Sequence, residues 1–182
     1  TAIVAKRALG LEFKVNVYDP FLQEEKAREL GVKKISLDEL FSKSDFITLH
    51  TPLNEKTKNI INKESFLKMK NGVRIVNCAR GGLVDEIALK ENLENGKVAS
   101  AALDVFVNEP PKDSKLLGTK NLILTPHLGA STTEAQEKVA LQIAEQICNF
   151  LKTGAISNAV NTFSLSAKEL SLIHISEPTR PL

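Results

Sequence analysis

Short apolar runs alternate with amphipathic stretches at a steady pace along the chain. Ala2–Leu9 has a helical pattern, with Ile3, Val4, Ala8 and Leu9 on one side and Lys6-Arg7 on the other. Lys14–Tyr18 (KVNVY) predicts a strand ending at Asp19-Pro20, and Gln23–Leu30 predicts a helix stopped by Gly31. A short helix over Leu37–Phe41 leads to a buried strand, Asp45–Leu49 (DFITL), which ends at His50-Thr51-Pro52. Lys63–Met69 is helical, and Val73–Asn77 (VRIVN) is a strand ending in Cys78-Ala79-Arg80-Gly81-Gly82. Asp85–Asn95 forms a helix closed by Gly96, Val98–Leu103 a strand ending at Asp104, and Asn121–Leu124 a strand ending at Pro126-His127. Thr132–Lys152 is a long helix, capped by Ser131 or Thr132 and ended near Gly154. Strands rich in Val, Ile and Leu, separated by helices, predict an α/β fold: a doubly wound parallel sheet covered on both faces.

The polar residues that carry chemistry gather just after the strands. Asp19, His50-Thr51-Pro52, Cys78-Ala79-Arg80, Asp104 and Pro126-His127 each follow an apolar run. In an open parallel sheet these points share one edge, the edge where such folds bind ligands. A carboxylate at Asp19 can accept the hydroxyls of an adenine ribose and repel a 2′-phosphate, favouring NAD over NADP; the alternative is an Asp-Pro turn opener. Arg80 is followed by Gly81 and Gly82, which let the backbone turn and expose a guanidinium fork suited to a carboxylate. Its alternative is a surface arginine in a loop. His127 carries the side chain best suited to move protons near neutral pH. Glu109, in N-E-P on the preceding loop, favours the imidazolium and fixes the ring tautomer if it lies beside that histidine. Without that partnership, His127 is a strand-end histidine and Glu109 a solvated carboxylate. His50 is open to both a site role and a purely local one. Cys78 and Cys148 read as small apolar groups rather than nucleophiles. No His/Cys/Asp cluster has metal spacing, so no metal is expected.

Composition narrows the class further. The chain has 182 residues, with 24 Lys plus Arg against 22 Asp plus Glu, a net charge of +2. That balance offers no strong field for nucleic acid. Hydrophobic residues make up 42% and charged residues 25%, as in a folded soluble domain with a core. No apolar run reaches the length of a membrane span, and the two cysteines lie far apart, as in a reduced cytoplasmic protein.

Four motifs in order resemble the D-isomer-specific 2-hydroxyacid dehydrogenases. They are S-D-F-I-T-L-H-T-P-L (from Ser44, with Thr57), G-V-R-I-V-N-C-A-R-G-G-L-V-D (Gly72–Asp85), A-A-L-D-V-F-V-N-E-P (Ala101–Pro110) and T-P-H-L-G-A-S-T (Thr125–Thr132). The continuation G-A-S-T-T-E-A-Q and the later N-A-V-N (Asn158–Asn161) resemble the family's phosphoglycerate branch. The resemblance runs from about Thr1 to Glu169 and implies a Rossmann-like NAD-binding domain. It implies Arg80, Glu109 and His127 as catalytic residues. It implies Asp19, Thr51, Cys78, Ala79, Arg80, Asp104, His127, Gly129 and Ala130 as NAD contacts. The implied activity is NAD-dependent oxidation of 3-phosphoglycerate, the entry to serine synthesis. The small-molecule substrate is a phosphorylated 2-hydroxy acid, and the full-length protein is expected to be a homo-oligomer without nucleic-acid or membrane partners. Alternatives are a glycerate, glyoxylate or lactate dehydrogenase, an NAD-sensing corepressor on the same scaffold, or a non-functional gene fragment.

The two ends carry expectations of their own. Ala2–Leu9 has no N-cap and reads as a helix entered from upstream, not as a signal peptide. The first strand of the domain and its glycine-rich turn are therefore expected before it. Residues 1–157 are expected to form the NAD-binding domain and residues 158–169 to begin a return to a substrate domain. Leu170–Arg180 (LSLIHISEPTR) resembles a translated sequencing adapter, so residues 170–182 are expected to be a non-native tail; by itself the chain is expected neither to hold NAD tightly nor to turn over.

Overall fold

The structure, a computed structural model, describes residues 2–129, 131–159 and 161. In order these form α1 (Ala2–Gly10), β1 (Asn16–Val17), α2 (Glu24–Glu29), β2 (Lys33–Lys34), α3 (Leu37–Lys43) and β3 (Phe46–Leu49). After them come α4 (Lys63–Lys68), β4 (Val73–Asn77), α5 (Glu86–Glu94), β5 (Val98–Leu103), β6 (Leu122–Leu124) and α6 (Thr133–Thr153). Contacts divide the chain into two compact units, one ending at Leu128 and one starting at Gly129. Among the described residues no helix is long and apolar enough to cross a membrane.

Local chemistry sets the helix starts. Ser36 accepts the Glu39 amide while Glu39 reaches back to the Ser36 amide, a capping box that opens α3. Asn62 and Ser65 do the same for α4, and Asp85 accepts the Ile87 and Ala88 amides to open α5. The Lys43 ammonium and the Ser36 groups hold Glu39 down to about 2.

Every strand pair in the first unit is parallel, but the sheet comes in two pieces. β1 pairs only with β2, while β3-β4-β5-β6 form a four-stranded sheet. The common doubly wound order, 3-2-1-4-5-6, has one further strand between positions equivalent to β1 and β3. Partnered on one side only, β1 shrinks from the expected Lys14–Tyr18 to Asn16–Val17. β2 escapes sequence reading because it is two lysines; the apolar signal lies in its flanks, Val32 and Ile35, both buried.

Register decides which side chains enter the core. Ile47 pairs with Ile75 and Leu49 with Asn77, so these share a face with Val73. That face packs with Phe41, Phe66, Leu83, Leu89 and Leu93 into the main core, and Ile75, Leu83 and Leu89 are completely buried. A satellite cluster of Ala5, Ala27 and Val32 joins α1 to α2. The opposite face carries more exposed side chains. Phe46 is 54% exposed and Ile123 67%. The Arg74 guanidinium lies 5.1 Å from the centre of the Phe46 ring, and Phe13 meets that ring edge-on at 6.1 Å. β3 is thus half-buried, not buried on both sides.

In the second unit, Thr132 caps α6 through the Ala135 amide, and Gly154 ends it at φ +70°. No residue of this helix is buried.

Within one turn of α4 the core demand changes sharply. Phe66 is 1% exposed and Leu67 78%. Phe66→Ala is expected to lower unfolding free energy by about 3–5 kcal/mol, whereas Leu67→Ala should stay within about 0.5 kcal/mol of the parent. Urea unfolding of the two variants checks this; equal losses would contradict the packing described.

Candidate active site

Polar side chains at the carboxyl ends of β4, β5 and β6 fold each following loop. Asn77, 2% exposed, accepts the Ala79 amide at 3.0 Å and donates to the Arg80 carbonyl at 2.9 Å. The turn that carries Arg80 is therefore built from a buried amide. Its two glycines serve different needs. Gly82 sits at φ +79°, where a side chain is strained. A Cβ on Gly81 would fall 1.7 Å from the Phe106 carbonyl oxygen and 2.2 Å from its carbon. The Arg80 loop and the Phe106 loop thus touch backbone to backbone.

Phe106 passes this contact on. Its amide donates to Glu109 Oε1 at 3.0 Å, while Glu109 Oε2 lies 2.7 Å from His127 Nδ1. Glu86, in the first turn of α5, anchors the same loop by accepting the Val107 amide at 2.9 Å. The bond to the His127 ring, then the Phe106 amide, hold the Glu109 carboxyl below the ordinary carboxylate range. Nε2 of His127 is the ring nitrogen not engaged by Glu109.

Asp104, 6% exposed, ends β5. Its amide donates to the Asn77 carbonyl at 3.0 Å, tying the β4 and β5 ends together. Desolvation and then the nearby Asp104 charge raise the Cys78 thiol, which keeps Cys78 protonated and weakly nucleophilic. Desolvation lowers the His50 imidazole, and its Nε2 lies 3.1 Å from Thr48 Oγ1.

The expected site residues therefore fall into groups. Cys78, Ala79, Arg80, Asp104, Glu109 and His127 meet around the β4–β6 ends. Arg80 reaches that place through its loop; its Nη1 donates to the Ala79 carbonyl at 2.6 Å. Thr51 follows β3, and its hydroxyl donates to the Pro52 carbonyl at 2.9 Å. Asp19 ends β1 in the separate sheet fragment. Its Oδ1 accepts the Phe21 amide at 2.8 Å, the turn-opener role, and its Oδ2 has no hydrogen-bond partner among the described residues. Gly129 belongs to the second unit, and Ala130 lies outside the described residues. The return segment at 158–169 is described only at 158, 159 and 161, and the 170–182 tail lies outside. Asn77 and Glu86 were missed from sequence. Asn77 had a signal, a polar residue closing an apolar strand; Glu86 had none.

The residues present fit part of a dinucleotide. Asp19 offers a carboxylate oxygen to a ribose, and the imidazole and guanidinium flank the β4–β6 ends where a nicotinamide and its substrate would meet. No G-x-G-x-x-G occurs in the sequence to cradle a pyrophosphate.

Residues 2–129 match the family model for the NAD binding domain of D-isomer specific 2-hydroxyacid dehydrogenases. D-3-phosphoglycerate dehydrogenase of Bacillus subtilis is 49% identical over 93% of this chain and 32% of its own length. Hydroxypyruvate reductase of Thermotoga maritima is 53% identical over 79% of this chain and 47% of its own. The solved D-lactate dehydrogenase of Aquifex aeolicus, complexed with NAD and lactic acid, is 33% identical, covers 82% of this chain and 49% of that one, and superposes with a TM-score of 0.70. The chain thus spans about a third of the length of the phosphoglycerate dehydrogenase it matches.

Gly81→Ala tests the loop contact, because the obstructing atoms are backbone and cannot rotate away. The substitution is expected to destabilise by about 1–3 kcal/mol in urea unfolding. Parent-like stability would mean that the Phe106 loop yields freely and couples nothing.

Proposed function

The chain belongs to the D-isomer specific 2-hydroxyacid dehydrogenase family, whose NAD binding domain it carries, and from that we propose that the full-length protein oxidises 3-phospho-D-glycerate to 3-phosphohydroxypyruvate. The observation that supports this reading best is the Glu109–His127 pair, 2.7 Å apart at the strand-end edge. NAD, when bound, supplies the acceptor for the hydride that leaves C2. His127 Nε2 takes the proton of the C2 hydroxyl. Glu109 holds Nδ1–H, fixes the ring orientation, and stabilises the positive ring that forms. Arg80 turns its guanidinium from the Ala79 carbonyl to the substrate carboxylate, which it grips with two parallel hydrogen bonds. Asp19 accepts a ribose hydroxyl; Thr51, Cys78, Ala79, Asp104, Gly129 and Ala130 complete the cofactor contacts.

The proposal includes the division of the chain: residues 1–157 as NAD-binding domain, 158–169 as the start of a return to a substrate domain, 170–182 as a non-native tail. The separation of β1-β2 from β3-β4-β5-β6, where the doubly wound order has one strand in between, supports a further parallel strand there in the full-length protein. It also includes a cytoplasmic homo-oligomer without nucleic-acid or membrane partners; the net charge of +2 supports the exclusion of nucleic acid.

A second reading keeps the fold and changes the substrate. The 53% identity to a hydroxypyruvate reductase favours it. The test is NADH formation by the full-length protein on 3-phosphoglycerate, D-glycerate, glycolate and D-lactate. The highest kcat/KM is expected on 3-phosphoglycerate, and His127→Gln should lower kcat by about 10²–10⁴-fold. Preference for an unphosphorylated acid would move the assignment to the second reading. An unchanged kcat in the variant would remove His127 from the chemistry.

A further inference from the structure

His127 adopts a backbone conformation that is uncommon for a residue with a side chain. Its φ is +54°, in the left-handed region. For a residue with a Cβ this conformation is strained and persists only where neighbours fix it. The neighbours here are specific. Thr125 is tied to β5 through its amide, which donates to the Leu103 carbonyl at 3.0 Å. Pro126 has a fixed φ. Oδ1 of Asp104 then closes the loop from both sides. It accepts the Thr125 hydroxyl at 2.5 Å, two residues before His127, and the Leu128 amide at 2.8 Å, one residue after it. Asp104 is itself buried and anchored to Asn77. The carboxylate therefore spans the residue with the strained backbone like a clasp.

We propose that Thr125 is a positioning residue: its hydroxyl, through Asp104 Oδ1, holds the His127 backbone in the left-handed conformation that aims the ring at Glu109 and the reacting hydroxyl. This rests on the dehydrogenase reading for its catalytic consequence, but not for its structural one. Asp104 thereby gains a duty besides the expected cofactor contact. A loop free to relax would let the imidazole swing out of line with Glu109, so proton transfer would suffer while NAD and substrate binding would not.

Thr125→Val keeps shape and volume and removes only the hydroxyl; Thr125→Ser keeps the hydroxyl. In the full-length protein Thr125→Val is expected to lower kcat about tenfold to a hundredfold, with KM for NAD and for substrate within about threefold of the parent. Thr125→Ser should restore most of the kcat. Amide exchange at Leu128 gives a readout independent of activity. It should speed up about tenfold in Thr125→Val and match the parent in Thr125→Ser. Thr125→Ala, with less strain at the branched position, serves if the valine variant does not fold, and the same changes are expected of it. Parent-like kcat together with parent-like exchange overturns the proposal. So does a rise in KM for NAD at unchanged kcat, which would place the hydroxyl in cofactor binding instead. If the full-length protein turns over no 2-hydroxy acid, the functional reading fails, and the exchange result still decides the clasp.

Discussion

The Glu109 carboxylate lies 2.7 Å from Nδ1 of His127, and the two residues reach that point from different places in the chain. His127 follows β6, while Glu109 rides on the long loop after β5. Neither side chain is deeply buried; the His127 side chain is 44% exposed and that of Glu109 36%. A pair this open is worth little as a salt bridge. Its value is geometric, because the carboxylate fixes the orientation of the ring through Nδ1. The rest of the edge serves that geometry. Asn77 shapes the Arg80 turn, the bare Gly81 lets that turn meet Phe106, and the Phe106 amide fixes the other oxygen of Glu109. The Arg80 turn, the acid and the imidazole are linked by one backbone approach and a short series of hydrogen bonds.

This relay depends on the parallel sheet. Adjacent parallel strands deliver their carboxyl ends side by side, so Arg80, Glu109 and His127 converge although they are far apart in sequence. The fully buried Ile75, Leu83 and Leu89 hold the strand ends in place from one side. Strain is concentrated where it is useful. Among the strand-end residues, His127 has the left-handed backbone, and the buried Asp104 carboxylate grips both flanks. The four-stranded β3–β6 sheet contrasts with the separate pair of two-residue strands, β1 and β2.

Much of this was legible in the sequence, for a physical reason. Runs such as VRIVN and VASAAL combine branched side chains with clear turn signals, and β4 and β5 fall where those runs predict. The strand-end cluster was legible too, since Asp104, Arg80 and His127 each follow an apolar run. β2 was not, because Lys33-Lys34 has no apolar pattern of its own. The alternating burial of β3 was not, because FITL reads alike whether one face or both is buried. Glu86 and Thr125 look like ordinary helix-start and loop residues; only the contacts they make, 21 residues away in each case, reveal their work. Gly81 and Gly82 form a simple pair in sequence, yet one answers a positive φ and the other a backbone collision.

The arrangement at the strand ends makes a definite statement about one proton. A carboxylate only accepts, so the 2.7 Å contact assigns the hydrogen of a neutral His127 ring to Nδ1. Nitrogen-15 chemical shifts of the His127 ring, recorded where the ring is neutral, distinguish the two tautomers directly. A protonated Nδ1 and an unprotonated Nε2 are expected, with the preference weakened in Glu109→Ala. A ring that carries its hydrogen on Nε2 in the parent protein would contradict this, because His127 would then have no lone pair facing the hydroxyl it is assigned to deprotonate.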